Sequence, residues 1–96
     1  MARDKTKLGE AEVQAFLQKW PGWAVERGIL KKTYAFADFR AAMAFVNRVA
    51  DAAEAADHHP DVDIRYNKVT LALMTHEAQG LTARDTALAA QVERFA

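Results

Sequence analysis

The sequence contains no cysteine, which excludes disulfide frameworks, thiolate nucleophiles and thiolate metal sites. Only two prolines and four glycines occur among its 96 residues, and no linker, internal repeat or low-complexity tract is present. Thirteen basic and thirteen acidic side chains cancel each other, so the chain has no electrostatic footprint for direct nucleic-acid binding. A chain of 96 residues without linkers or repeats indicates one small domain, and any chemistry that it performs must use side chains other than cysteine.

No apolar run in the sequence is long enough to span a membrane. The charged stretch at residues 1–5 is not followed by the apolar segment that a secretion signal requires. We therefore expect a cytoplasmic protein that contacts no membrane. It is predicted to consist of a flexible N-terminal tail at residues 1–7 and a single domain at residues 8–96.

Hydrophobic periodicity predicts three helices and four strands. Apolar residues recur at helical spacing from Gly9 to the break at Pro21-Gly22, and two strands follow around an Arg27-Gly28 turn. Asp38 is the predicted N-cap of a long helix, and Thr82 opens a capping box before the last one. The order α-β-β-α-β-β-α predicts an α+β domain, with a four-stranded antiparallel sheet and three helices packed on one face.

The second strand pair is predicted as a hairpin between residues 61–66 and 69–74. Apolar and polar residues alternate in both segments, and Asn67-Lys68 is the expected two-residue loop. Extending this register places His59 opposite His76. The facing apolar pairs that it predicts are Tyr66–Val69, Ile64–Leu71 and Val62–Leu73.

All three histidines of the chain, His58, His59 and His76, lie at one end of this hairpin. Histidine is the one side chain whose unperturbed proton affinity lies near neutral pH, so it commonly transfers protons in catalysis. We therefore predict that the three imidazoles line one solvent-accessible pocket.

Four motifs carry a resemblance to a known family. They are Asp57-His58-His59-Pro60-Asp61, Tyr66-Asn67-Lys68-Val69, Thr75-His76-Glu77, and Gly80-Leu81-Thr82 followed by Asp85. In order and spacing the chain resembles pterin-4a-carbinolamine dehydratases, and Trp23 and Asp38-Phe39 fit that family in the first half. The resemblance implies dehydration of 4a-hydroxytetrahydropterin to quinonoid dihydropterin, in pterin recycling for an aromatic amino acid hydroxylase. It also implies a homodimer or homotetramer.

The resemblance also implies the site. His58 and His76 become the acid-base candidates, His59 binds and orients the pterin, and neither a metal nor another cofactor is needed. Asp57 is expected to orient an imidazole. Trp23 could stack on the pterin or pack in the core, and Asp85 could be a site carboxylate or a helix cap. The full set of expected substrate contacts is Trp23, Asp57, His58, His59, Met74, Thr75, His76, Glu77 and Asp85.

Two alternatives remain open from the sequence. Three histidines could ligate zinc, although the adjacent His58-His59 pair is poorly spaced for chelating one ion on regular structure. A binding module is the other alternative, because animal members of the resembled family also act as dimerisation cofactors of a transcription factor.

Overall fold

The structure, a computed structural model, describes residues 6–96 and has the predicted element order. The helices are α1 (Glu10–Lys19), α2 (Phe39–Ala56) and α3 (Ala83–Phe95). The strands are β1 (Ala24–Glu26), β2 (Ile29–Ala35), β3 (Asp61–Arg65) and β4 (Lys68–Leu73). The α+β prediction is therefore confirmed. No helix within the described range has the length and apolarity needed to cross a membrane.

The predicted tail at residues 1–7 lies mostly outside the described residues. Its last part is held by the segment that precedes α3. Lys7 forms an isolated antiparallel bridge with Thr82, and the backbone N–H of Leu8 donates to the carbonyl of Leu81 at 2.9 Å. These contacts connect the beginning of the described chain to the start of the last helix.

Side-chain caps determine where the long helices begin. The Asp38 carboxylate accepts a hydrogen bond from the backbone N–H of Ala41 at 2.8 Å, which satisfies a donor that the first turn of α2 leaves free. Thr82 and Asp85 form the predicted capping box of α3. At the other end of α2, Asp57 adopts a left-handed backbone conformation with φ of 52°. That conformation turns the chain from the helix toward β3.

The antiparallel sheet has the strand order β1-β2-β4-β3, so β4 is central and β3 is an edge strand. Val69, Leu71 and Leu73 of β4 are at most 1% exposed and face the helices. Residues between them point to the opposite face, where the hydroxyl groups of Thr33 and Thr70 hydrogen-bond at 2.7 Å. The sheet therefore has one face covered by helices and one helix-free face.

The predicted register of the second hairpin is wrong by two residues. Ile64 pairs with Val69 and Val62 pairs with Leu71, so the loop is Tyr66-Asn67. Tyr66 takes the left-handed conformation, with φ of 53°. The Asn67 amide group donates to the carbonyl of Phe36 at 2.8 Å, and the Phe36 N–H donates back to the Asn67 carbonyl. These bonds hold Asn67 against the end of β2. In the resulting register, His59 and His76 are not opposite each other.

Trp23 packs in the core at the side of the sheet covered by α3. The residue is 5% exposed, and its ring makes edge contacts with Phe16 and Tyr34. Its indole N–H donates to the Glu93 carboxylate at 3.2 Å. Of the two interpretations of Trp23 given above, the structure matches core packing.

Glu93 collects hydrogen bonds from three side chains. Besides Trp23, the Lys32 ammonium donates to it at 2.6 Å, and the Tyr34 hydroxyl donates to the same oxygen. Burial alone would raise the pKa of Glu93, but the hydrogen bonds from Lys32 and Tyr34 and the charge of Lys32 outweigh it and lower the pKa. Burial, together with the bond to Glu93, raises the pKa of the Tyr34 phenol, which stays protonated as a donor.

We expect Glu93→Gln to lower the free energy of unfolding at pH 7 by about 1–3 kcal/mol, because it weakens a largely buried charge-assisted network. Since the pKa of Glu93 is lower in the folded chain than in the unfolded one, its stabilisation is complete above the ordinary glutamate pKa of about 4.3 and is lost as the pH falls below it. Urea unfolding at several pH values measures both effects. The exposed Glu26→Gln is the matched control, and equal acid sensitivity of wild type and Glu93→Gln would contradict the assignment.

Candidate functional site

His59 and His76 line the same depression, on the helix-free face of the sheet. Asp61 of β3 pairs with Ala72 of β4, and both contribute to its floor. The depression is small, with a volume of about 30 Å³. Its full lining is Ile29, His59, Asp61, Ala72, Met74 and His76. Two of the three predicted imidazoles are thus brought together.

A carboxylate from α2 contacts one of these imidazoles. Glu54 lies in the last turn of α2, and its Oε2 is 2.7 Å from Nε2 of His59. Both side chains are more than half exposed, so the pair contributes little to stability. The bond to Nε2 leaves Nδ1 as the ring's second polar atom. Glu54 is absent from the sequence-based prediction, which expected Asp57 to orient an imidazole.

His58 lies apart from the depression. It is 7% exposed, and its Nε2 is 2.6 Å from Oδ1 of Asp85 in the first turn of α3. Its backbone N–H donates to the carbonyl of Ala53, so the residue also takes part in ending α2. His59 and His76 thus line the depression, whereas His58 contacts Asp85 instead, and its predicted catalytic role stays a prediction.

Asp85 is fully buried and satisfies its oxygens within the protein. Besides His58, it accepts hydrogen bonds from the Thr75 hydroxyl at 2.8 Å and from the backbone N–H of Thr82 at 2.9 Å. The hydroxyl groups of Thr75 and Thr82 also bond to each other at 2.8 Å. Asp85 therefore combines the role of helix cap with a bond to a predicted site histidine.

The other predicted contact residues flank this arrangement. Met74 lines the depression, whereas Glu77, in the short 3₁₀ helix His76–Ala78, is not part of its lining. The Asp57 carbonyl accepts a hydrogen bond from Arg84 at 3.0 Å, and the carboxylates that contact imidazoles are Glu54 and Asp85.

Two larger depressions in the described part of the chain have no imidazole in their lining. One of about 370 Å³ lies between α2 and α3, lined by Arg48, Asp51, Ala52, Ala55, Gln91 and Phe95. Another of about 420 Å³ lies beside β1 and includes Lys31 and Thr70. Within residues 6–96, no three histidine, aspartate or glutamate side chains are grouped so that they could hold a metal ion. The depression with His59 and His76 therefore differs from these two in carrying imidazole side chains.

Comparison with known proteins gives one consistent result. The family model described as Pterin 4 alpha carbinolamine dehydratase matches residues 6–95. A protein of Thermomicrobium roseum, provisionally named pterin-4-alpha-carbinolamine dehydratase, is 53% identical over 90 residues, which cover 94% of this chain and 97% of that one. A relative in Trichormus variabilis with the same provisional name is 47% identical over 88 residues, or 92% and 95% of the two chains.

Comparison with solved structures indicates the same family. The crystal structure of a transcriptional coactivator/pterin dehydratase from Brucella melitensis superposes with a TM-score of 0.90 at 32% identity, covering 95% of this chain and 99% of that one. A pterin dehydratase-like RuBisCO assembly factor of the alpha-carboxysome has a TM-score of 0.62 at 22% identity, over 75% and 83% of the two chains, and shows the fold alone. On the family match and these relatives, the chain belongs to the pterin-4-alpha-carbinolamine dehydratases, a family of carbon–oxygen hydro-lyases.

Proposed function

We propose that this protein dehydrates a 4a-hydroxytetrahydropterin to the quinonoid dihydropterin, with His59 and His76 as the proton-transfer groups. The observation that carries the proposal is the position of both imidazoles around one depression on the helix-free face of the sheet. In this function the protein would act in the cytoplasm and return pterin to an aromatic amino acid hydroxylase.

The reaction requires two proton transfers and no change of oxidation state. The bond between carbon 4a and its hydroxyl oxygen breaks, and a proton delivered to that oxygen lets it leave as water. A ring N–H loses its proton, and the electron pair of that bond forms the new double bond to carbon 4a. Two fixed imidazoles, one protonated and one neutral, can supply both transfers, and each typically contributes about 10²–10⁴-fold.

The contact with Glu54 favours His59 as the base. If Nε2–H of His59 donates to the carboxylate, the neutral ring presents Nδ1 as an acceptor. When that ring takes a proton, the negative charge of Glu54 stabilises the imidazolium, as a carboxylate does beside other catalytic histidines. His76 is then the acid that protonates the departing hydroxyl group.

The small volume of the depression suggests how a bicyclic pterin would bind. About 30 Å³ admits the reacting edge of the ring but not the whole molecule. The rest of the flat ring would lie over the helix-free face, where Ala72 and Ile29 present small and apolar surfaces. Binding by stacking on this face would leave the substituent at the far end of the pterin in solvent.

A direct assay tests the proposal. Purified wild-type protein is expected to accelerate the loss of water from 4a-hydroxytetrahydropterin well above the spontaneous rate, followed by the absorbance of the quinonoid product. Because proton transfer alone completes the reaction, the activity should survive exhaustive treatment with EDTA. No acceleration would refute the function, and loss of activity on chelation that zinc restores would move the assignment to a metal site.

We also propose that copies of the chain associate as a homodimer or homotetramer. Supporting this, the edge strands β1 and β3 carry Val25 and Val62 at 37% and 40% exposure, and Phe39 at the start of α2 is 50% exposed. Exposed apolar side chains at sheet edges commonly mark association surfaces. The coactivator role in the name of the Brucella melitensis protein has no separate support from the residues of this chain.

A further inference from the structure

The loop that carries His76 is closed by a single backbone bridge. The N–H of Thr75 donates to the carbonyl of Gly80 at 2.9 Å, and the N–H of Gly80 donates back at 3.4 Å. Between these two residues lie the 3₁₀ helix His76–Ala78 and Gln79, whose φ is 56°. His76 therefore belongs to a short chain reversal and not to one of the strands or long helices of the domain.

A segment near the start of the chain pairs with the returning limb of this loop, residues 80–82. Lys7 forms an antiparallel bridge with Thr82, and the N–H of Leu8 donates to the carbonyl of Leu81 at 2.9 Å. We call residues 7–8 the N-terminal strap. The returning limb thus has a backbone partner on both sides, the strap on one and Thr75 on the other, and is not an exposed edge.

Side chains of the strap add to this pairing. Leu8 is half-buried and packs against the hydrophobic core. Lys7 lies over Gly80, because a Cβ placed on that glycine would be only 2.9 Å from Cε of Lys7. Its apolar stem therefore covers the buried Gly80 at the point where the bridge to Thr75 closes the loop.

The strap supplies a hydrogen bond that the loop itself does not replace. Leu81 is 7% exposed, and its carbonyl accepts from Leu8. A buried carbonyl without a partner is unfavourable, so without the strap the returning limb would turn this group toward water. Such a turn would displace the adjacent Gly80 and strain its bonds to Thr75, which directly precedes His76.

We propose that the N-terminal strap is a positioning element, which holds the loop at residues 75–80 closed and thereby keeps His76 beside His59. A displacement near 1 Å of a group that transfers a proton can cost about 10²-fold in rate. The proposal rests on the proposed function for its kinetic consequences, whereas the coupling between strap and loop is tested without it.

Amide hydrogen exchange in the wild-type protein gives the first test. The amides of Leu8, Thr75 and Gly80 all donate to backbone carbonyls, so each one reports the opening of its own hydrogen bond. Chain ends usually open before the rest of a domain. If opening of the strap releases the loop, Thr75 and Gly80 should be no more protected than Leu8. Protection of Thr75 and Gly80 that exceeds that of Leu8 by about tenfold or more would refute the coupling.

A matched pair of variants then separates the backbone bond of the strap from its packing. Leu8→Pro removes the N–H donor but keeps an apolar side chain, and proline favours the extended conformation that the bridge requires at Lys7. Leu8→Ala keeps the N–H and loses most of the side chain. The wild-type comparison needs no variant, so it decides the question even if Leu8→Pro does not fold.

We expect Leu8→Pro to accelerate exchange at Thr75 and Gly80 by about tenfold or more, and Leu8→Ala to do so much less. The amide of Phe36, bonded to Asn67 at the other end of the sheet, is the internal control and should not change in either variant. Unchanged exchange in Leu8→Pro would refute the proposal. Equal acceleration in both variants would assign the effect to core packing and overturn it as well.

Kinetics test the consequence for the reaction. Leu8→Pro should lower kcat roughly 10- to 100-fold through loss of alignment. KM should change little, because the helix-free face that would bind the ring is intact, and both limbs of the pH dependence should remain, because no imidazole is lost. An unchanged kcat, or a loss confined to KM, would overturn the positioning role. A wild-type protein without dehydratase activity would refute only the proposed function.

Discussion

Replacing His59 or His76 by alanine is expected to lower kcat for pterin dehydration by roughly 10²–10⁴-fold, because each variant loses one of two proton-transfer groups. Stability should change little, since both side chains are exposed on the helix-free face of the sheet. Steady-state kinetics over a range of pH, with unfolding curves for each variant, measure both quantities.

The two variants should differ in their pH profiles. If His59 is the base, His59→Ala loses the rise in kcat with increasing pH, whereas His76→Ala loses the fall at higher pH. Arg65→Ala is a suitable control, because this 81% exposed side chain belongs to β3 but lies at the opposite end of the strand from Asp61 and the pocket. Near-normal turnover in both histidine variants would remove the acid-base assignment.

The largest expected loss of stability follows from truncating the central strand. Leu71 is fully buried beneath the helices, so Leu71→Ala should lower the free energy of unfolding by about 2–5 kcal/mol through lost burial and the cavity left behind. For a domain of this size, each kcal/mol corresponds to roughly 4–8 °C in Tm. Thermal and urea unfolding give the measurement.

Val62 provides the matched control for Leu71. The two residues are cross-strand partners on the same face of the sheet, but Val62 on the edge strand is 40% exposed. We expect Val62→Ala to cost less than about 1 kcal/mol in a monomer. A cost at Val62 as large as that at Leu71 would contradict this prediction. The mass of each variant in solution, measured by light scattering, would then show whether a second copy covers the edge.

Most of the fold could be predicted because its signals are local. Asp38 and the Thr82–Asp85 capping box begin their helices as the residue types suggest. The Arg27-Gly28 turn also matches, since both residues adopt positive φ, as a tight hairpin between twisted strands requires. Each of these features depends on a few neighbouring residues.

The register of the second hairpin could not be obtained from the same kind of signal. A slip of two residues keeps every side chain on its own face, so apolar still faces apolar in both alignments. The deciding contacts join Asn67 to Phe36, 31 residues earlier in the chain. Nothing in the hairpin's own sequence indicates that Tyr66 rather than Lys68 belongs to the loop.

The sequence indicated which residue types form the candidate site, but not how their side chains are arranged. The motifs predicted that the histidines lie close together, and His59 and His76 do line one depression, but His58 hydrogen-bonds to Asp85, which belongs to a different helix. Only a weak indication of Glu54 is present in the sequence, namely that this carboxylate lies one helical turn before the His58-His59 pair at the end of α2. For Trp23, the partner Glu93 lies 70 residues away, and pattern analysis does not detect such a contact.

The two faces of the sheet have different roles: one packs against the helices in the core, and the other carries the proposed site. Side chains that hold the domain together point toward the helices, and those around His59 and His76 point away from them. Substitutions at positions such as Ala72 and Met74 should therefore disturb the interior little, so the proposed pterin-binding face can change in sequence while the core stays constant. A related protein could lose the dehydratase activity, keep the same stable fold and acquire a different function.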